Sequence, residues 1–291
     1  MPHWSAGSSR RPSLRVPKPP QPAEGILRSR QNPRVQEARR LARDSTLARG
    51  EGVLVADGVR IVLEALRAGL VPRLLLVDPS DPNAAAIRQA AESRDARVTL
   101  ATAAVLDSVS TLTTPQGALG VFERPAFDLA HVLAAPDAAE PPLICVLHGL
   151  QDPANAGSLV RSALATGLAG MIATAGTVDP YHPRSVRASM GGCFRLPVIA
   201  ELAATSVWEM LNRGGYRILA LEPRGGLKLD DATLDRPTAI VLGREGSGLD
   251  SEARDACEAS VRIPMTRAIE SLGVAAAGAI VFYMLAGRRI R

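Results

Sequence analysis

Asn155 and Arg161 stand six residues apart in the stretch Leu147-His-Gly-Leu-Gln-Asp-Pro-Ala-Asn-Ala-Gly-Ser-Leu-Val-Arg-Ser-Ala163. A guanidinium tethered to a rigid helix yet able to reach out of it is placed as a functional arginine should be. The guanidinium is always protonated near neutral pH, so Arg161 is a poor outright base. The surrounding residues supply the scaffold. Leu143–Leu147 is an apolar run expected as a buried strand. Asp152-Pro153 ends it, because proline lacks an N–H and restrains the residue before it. Asn155 is expected to cap the helix that follows. There Leu159, Val160, Ala163, Leu164 and Leu168 share one apolar arc at about 100° per residue, with Arg161 on its border. Taken alone, the stretch equally describes an ordinary strand, a capped helix and a surface arginine.

Two later stretches add polar groups among glycines. One is Ile240-Val-Leu-Gly-Arg-Glu-Gly-Ser-Gly-Leu-Asp250; the other is Arg262-Ile-Pro-Met265 followed by Ser271-Leu-Gly-Val274. Glycine-rich loops after strands let backbone groups approach a ligand closely. Other glycine signatures do not fit. The first strand of this half leads to Asp-Pro-Ala-Asn-Ala-Gly rather than to the Gly-x-Gly-x-x-Gly of a dinucleotide site. Gly243–Gly248 lacks the Gly-Lys-Ser/Thr ending of a P-loop, and no Gly-x-Ser-x-Gly hydrolase elbow occurs.

In order and separation, Asn155-x-Gly157-x-x-x-Arg161, the Gly243 loop and the Ile263–Val274 stretch resemble the three motifs of the SpoU/TrmH family. These are RNA ribose 2′-O-methyltransferases of the SPOUT class. The stretch Asp179-Pro-Tyr-His-Pro-Arg-Ser-Val-Arg-Ala-Ser-Met-Gly-Gly-Cys-Phe-Arg-Leu-Pro197 is also similar to that family. The resemblance implies an α/β domain with a C-terminal trefoil knot. It implies S-adenosylmethionine as cofactor, held by the backbone of Gly243, Ile263 and Leu272 in a pocket lined by Leu242, Gly248 and Met265. Asn155, Arg161, Glu245 and Ser271 match its catalytic positions, with Glu245 orienting Arg161 or the RNA and Ser271 touching the hydroxyl or cofactor. No metal is required, and a homodimer with the site near its interface is implied. Gly273 departs from the family's usual Asn. Both residues tolerate left-handed backbone geometry, which is the property expected to matter there.

Composition sets the partners. With 291 residues and 46% hydrophobic content, one large or two medium domains are expected, with ample core. Residues 1–49 hold 11 basic and 3 acidic side chains, whereas the remainder holds 23 and 26. Basic character gathered at one end suits nucleic-acid phosphate. Lys18 and Lys228 are the only lysines; a GC-rich coding bias accounts for most of that preference for arginine. Aromatics make up 3%, too few for base-stacking platforms to dominate. Cys145, Cys193 and Cys257 have no metal-ligand spacing and an odd count, which fits a reduced, cytoplasmic protein. No signal peptide and no membrane-length apolar run are visible.

Four segments follow. Residues 1–25, rich in Pro, Ser and Arg, are expected as a disordered basic tail. Residues 26–128 alternate strand and helix patterns: a helix over Val35–Leu47, then strands near Val53–Ala56, Arg73–Val77, Val98–Leu100 and Ala118–Phe122, with helices between. This part resembles the family's substrate-binding domain, similar to an RNA-binding ribosomal-protein fold. Ser29-Arg-Gln-Asn-Pro33, Val55-Ala-Asp-Gly-Val-Arg60 and Thr114-Pro-Gln-Gly117 carry that resemblance, with Asp57 where members commonly have Glu. It implies RNA contact through Arg28, Arg30, Asn32, Arg34, Arg60 and Gln116. Residues 129–142 have linker composition. Residues 143–291 carry nearly continuous apolar strands, expected as a mostly parallel sheet covered on both faces. Its last helix, Leu272–Leu285, is apolar all round and is expected in the core or an oligomer interface. The two-domain layout is closer to ribosomal-RNA members, including antibiotic-resistance methyltransferases acting on 23S RNA, than to one-domain tRNA members. A tRNA 2′-O-methyltransferase and a non-catalytic RNA-binding protein of the same fold are the alternatives.

Overall fold

The computed structural model describes residues 25–134, 140–224, 226–266 and 268–287. The expected basic tail, apart from Gly25, lies outside them. Two α/β layers follow one another along the chain.

In the first layer, α1 (Pro33–Arg43) and α2 (Ser45–Gly50) replace the single helix expected over Val35–Leu47. Asp44 makes the break: its extended backbone ends α1 and its carboxylate accepts the Leu47 N–H to cap α2. Then come β1 (Val53–Asp57), α3 (Val59–Arg67), β2 (Pro72–Val77), α4 (Ala84–Glu92), β3 (Thr99–Leu100), α5 (Ala103–Val109) and β4 (Ala118–Glu123). The sheet order is β1-β4-β2-β3, antiparallel except for the β2–β3 pair.

The stretch with linker composition opens with a helix, α6 (Leu129–Leu133), capped by Asp128 and docked through buried Val132. The second layer contains β5 (Leu143–Leu147), α7 (Pro153–Ala165), β6 (Gly170–Thr174), α8 (Pro183–Ala188), β7 (Val198–Leu202), α9 (Ala204–Arg213), β8 (Arg217–Leu221), β9 (Leu227–Lys228), β10 (Thr238–Leu242), α10 (Ser251–Asp255), β11 (Ala259–Arg262) and α11 (Val274–Leu285). Its order is β7-β6-β5-β10-β8-β11-β9 and its pairings are parallel. Both faces are covered. Leu143, Cys145, Leu147, Ile240 and Leu242 point into one apolar cluster, while Ile144, Val146, Ala239 and Val241 point into another, as the strand period of two requires. No helix among the described residues is long and apolar enough to cross a membrane.

The two layers share a core. Leu54 and Ala56 of β1 join the same buried cluster as Val186 and Phe194 of the second layer. Arg124 clamps the seam. Its guanidinium donates to both Asp179 oxygens, at 3.2 and 2.6 Å, and its Nε donates to the Val53 carbonyl at 2.8 Å. It also lies over the Tyr181 ring, 5.1 Å from the centroid. Glu64 of α3 pairs with Arg195 at 2.8 Å. Burial pushes the Glu64 carboxyl up, but hydrogen bonds from Arg195 and Arg67 outweigh it and hold the group below its usual range.

Candidate active site

The residues that follow β8, β10 and β11 close around one cleft of about 460 Å3. Chain order explains its place. From β5 the chain steps one way to β6 and β7, then crosses to β8 on the other side. The carboxyl ends of strands beside such a reversal are where open α/β sheets bind ligands.

The Gly243 loop is shaped by its own backbone. Arg244 and Gly248 exchange N–H···O bonds, both 3.0 Å. A side chain on Gly243 would place Cβ 2.5 Å from the Gly248 carbonyl carbon, so only glycine lets the loop fold back on itself. Two anchors fix it to the rest of the layer. Asn155 Nδ2 donates to Glu245 Oε1 at 2.9 Å. At the other end Asp250 pairs with His148 Nε2 at 2.9 Å and caps α10 through the Ala253 N–H. Those two hydrogen bonds, His148 first, hold the Asp250 carboxyl below its usual range.

Helix α7 is placed by Asp152, whose side chain accepts the Ala154 N–H, with Pro153 in the first turn. The cap expected at Asn155 is therefore corrected. Asp-Pro takes that role, and Asn155, one turn in, is freed to reach Glu245. At Gly157 the helix meets α8 closely: an added Cβ would lie 2.3 Å from the Ser185 carbonyl oxygen. Gly278 does the same for α11, where Cβ would lie 2.3 Å from Leu159.

The site residues expected from sequence divide clearly. Leu242, Gly243, Glu245, Gly248, Ile263, Met265, Ser271 and Leu272 line the cleft, and Asn155 is tied to it through Glu245. Arg161 is not on its wall. Six residues past Asn155, about 600° around the helix, it is exposed on the side of α7 near Gly192. It has no hydrogen-bond or ion-pair partner among the described residues, and Glu245 is bonded to Asn155. Gly273 is a second correction. It sits at the N-cap of α11 with φ −59° and ψ 142°, and a Cβ there would meet open space. Left-handed geometry is not what this position requires. Helix α11 is divided. Gly278, Val281, Phe282 and Leu285 are buried, but Ile280 and Tyr283 are 39% and 57% exposed.

The residues expected to contact RNA form two groups. Arg28 is exposed, Arg30 donates to the Ala104 carbonyl at 3.3 Å, Asn32 caps α1, and Arg34 reaches the Thr99 hydroxyl at 3.4 Å. Arg60 and Gln116 line a second cleft between the layers. Asp57 is spent structurally, accepting from Ser110 and Thr111. Arg187 lines that same cleft; it lies inside the Asp179–Pro197 stretch, and only the packing singles it out. The cysteines are poor nucleophiles: burial pushes the Cys193 thiol up to about 12 and raises Cys145 as well.

A parallel sheet with a looped cleft at its strand ends, joined to a small mixed sheet, defines an α/β architecture suited to holding a ligand. Comparison with known proteins narrows it. A family model described as the SpoU rRNA methylase family matches residues 142–283, and an MRM3-like substrate binding domain matches residues 32–120. An uncharacterised tRNA/rRNA methyltransferase of Mycobacterium tuberculosis is 30% identical over 260 residues, covering 87% of this chain and 88% of its own length. The SpoU methyltransferase AviRb from Streptomyces viridochromogenes, solved with AdoMet, is 27% identical with a TM-score of 0.78, over 89% of this chain and 99% of that one. A solved RNA 2′-O ribose methyltransferase is 28% identical with a TM-score of 0.74, over 90% and 98%. The chain belongs to the SpoU family of RNA methyltransferases.

Proposed function

We propose that this protein transfers a methyl group from S-adenosylmethionine to a ribose 2′-hydroxyl of RNA, with ribosomal RNA, 23S first, as the substrate. The carrying observation is that the Gly243 loop and the Ile263–Val274 stretch line one cleft, with Asn155 of the first motif bonded to Glu245 on its wall. The cleft fits the cofactor. Leu242, Ile263, Leu272 and Val274 offer an apolar wall, and the close-packed Gly243 backbone lets main-chain groups approach a ligand. When bound, S-adenosylmethionine supplies a methyl carbon made electrophilic by its sulfonium.

The chain's own residues then orient the acceptor. Asn155 fixes the Glu245 carboxylate through Oε1 at the cleft edge. Ser271 offers a hydroxyl on the same wall. Arg161, permanently charged, clamps a phosphate and stabilises the oxygen, whose proton is released to water. Its exposure, together with exposed Leu164 on α7 and Ile280 and Tyr283 on α11, supports a homodimer in which this face is covered and Arg161 serves the site. Ile263, Met265 and Ser271–Val274 line the same cleft as the Gly243 loop, an adjacency that suits the trefoil knot of the family.

The test is incubation of the full chain with methyl-labelled S-adenosylmethionine and separate, protein-free 23S, 16S and transfer RNA, followed by nucleoside mass analysis. A ribose-methylated nucleoside from 23S RNA is expected. Label on a base, or on no RNA, refutes the assignment; label on transfer RNA moves the substrate. Light scattering during gel filtration checks the dimer, which a monomer mass would rule out.

A further inference from the structure

We propose that the cleft between the two layers is a binding subsite for one unstacked nucleotide of the substrate RNA, with its phosphate set on Arg60 and Arg187. This rests on the RNA methyltransferase reading above and adds a place and a chemistry for substrate recognition.

The cleft measures about 860 Å3, within the span of about 300–1,000 Å3 usual for small-ligand sites. It shares no lining residue with the cofactor cleft. Each layer builds one wall. Arg60 stands at the second residue of α3, and Thr114 and Gln116 come from the turn before β4; Arg187 and Met190 come from the end of α8. Gln116 is held against Gly58, where an added Cβ would lie 2.9 Å from its Oε1.

Arg187 carries the inference. Its Nη1 is buried and has no hydrogen-bond partner among the described residues. A charged N–H withdrawn from water without an acceptor is costly, and native proteins rarely leave one so. Arg187 lines the cleft, so an anion bound there would supply the acceptor. Asp57, the carboxylate on its wall, is already engaged by Ser110 and Thr111, and Arg67 is paired with Glu64. Arg60 is exposed and has no partner among the described residues. Two guanidinium groups thus remain for an anion.

The rest of the lining selects among anions. Amides and hydroxyls at Asn83, Thr114 and Gln116 match the edge of a base, and Leu63 and Met190 offer apolar surface for its face. Paired RNA keeps its base edges inside the helix, so a concave cleft entered from outside takes only a nucleotide that has left the stack.

The experiment measures filter binding of protein-free 23S RNA to the full chain, with S-adenosylmethionine present, across a potassium chloride series. Arg187→Gln is expected to weaken RNA affinity about tenfold and to lower the salt slope by about one. Arg60→Gln, at an exposed position, should lower the slope likewise. Arg187→Lys should restore the slope but not the full affinity, because an ammonium lacks the planar fork. Arg213→Gln, on α9, is the remote charge control and should change neither. Calorimetric titration of S-adenosylmethionine should be the same for every variant, which separates lost contact from lost fold. Nucleoside 5′-monophosphates should compete with RNA in the wild type and lose that ability in Arg187→Gln. Equal competition by inorganic phosphate reduces the cleft to a simple anion site and overturns the nucleotide assignment. Wild-type affinity and slope in both Arg187→Gln and Arg60→Gln overturn the subsite while leaving the methyltransferase reading intact. A wild-type chain that binds and methylates no RNA overturns both.

Discussion

Gly157→Ala tests how closely α7 and α8 must pack. An alanine Cβ would sit 2.3 Å from the Ser185 carbonyl oxygen, 2.7 Å from Ala188 Cβ and 3.0 Å from the Ser185 carbonyl carbon. Ordinary carbon contacts begin near 3.5 Å, so α8 must retreat by about 1 Å. Two effects oppose each other. Replacing glycine inside a helix gains about 0.5–1 kcal/mol from reduced chain entropy. Overpacking costs about 1–3 kcal/mol, and the upper part of that range applies because the obstacle is backbone rather than a flexible side chain. A net loss of about 1–2 kcal/mol follows, which for a chain of this size lowers the melting temperature by roughly 2–8 °C. Gly50→Ala is the control: it ends α2 and its Cβ would meet nothing within 4 Å, so its melting point should hold or rise. Scanning calorimetry of the three proteins decides. If Gly157→Ala melts at or above the wild type, the close approach of α8 to α7 is not a real constraint.

Arg161→Ala should cut methyl transfer by ~10²–10³ while S-adenosylmethionine titrates as in the wild type; near-normal turnover on RNA would remove Arg161 from the mechanism. His182 caps α8 by accepting the Arg184 N–H on Nδ1, which only the neutral ring can do. Burial first, then the positive charges of Arg184 and Arg187, lower its pKa against the opposing pull of Asp179. With the folded value below the unfolded 6.5, its contribution is complete above about pH 6.5 and is lost as pH falls through the folded value. Melting curves from pH 8 to 5 should show this fall, and His182→Asn, a non-titrating cap, should flatten it; equal slopes would refute it. Gly273→Asn should preserve cofactor affinity and gain a few tenths of a kcal/mol from helix capping. Gly273→Val should bind S-adenosylmethionine too, since φ there is −59°; a tenfold loss in calorimetric affinity would contradict the observed backbone.

The cleft was legible because turn chemistry is local. Gly243, Gly248, Ile263 and Leu272 announce their loops by type and spacing, and strands β5, β8 and β10 announce themselves by apolar runs. Local signals also explain some failures. Asp44 carries the cap that splits α1 from α2, yet the apolar period runs on across it. Asn155 is a good cap by type, but Asp152 precedes a proline and wins. Gly273 tolerates positive φ by type, but its φ is −59°: tolerance is not use. Other features belong to pairs distant in sequence. The Asn155–Glu245 bond joins residues 90 positions apart, and nothing beside Arg187 in the chain reveals that its Nη1 lacks an acceptor. The burial of only one face of α11 depends on where α7 lies.

The buried cluster running from β1 through α3 into Val186, Phe194 and the second sheet has a calorimetric consequence. Elements that share apolar contacts melt together, because exposing one side strips the other of its partners. Heating should therefore give a single endotherm rather than one peak for each layer. The small sheet is then no detachable adaptor. A chimera carrying another protein's substrate-binding part would have to match this surface methyl for methyl, with Arg124 and Asp179 restored across the joint. New RNA preferences are more readily reached by altering exposed side chains, such as Arg60 and Gln116, than by exchanging the whole layer.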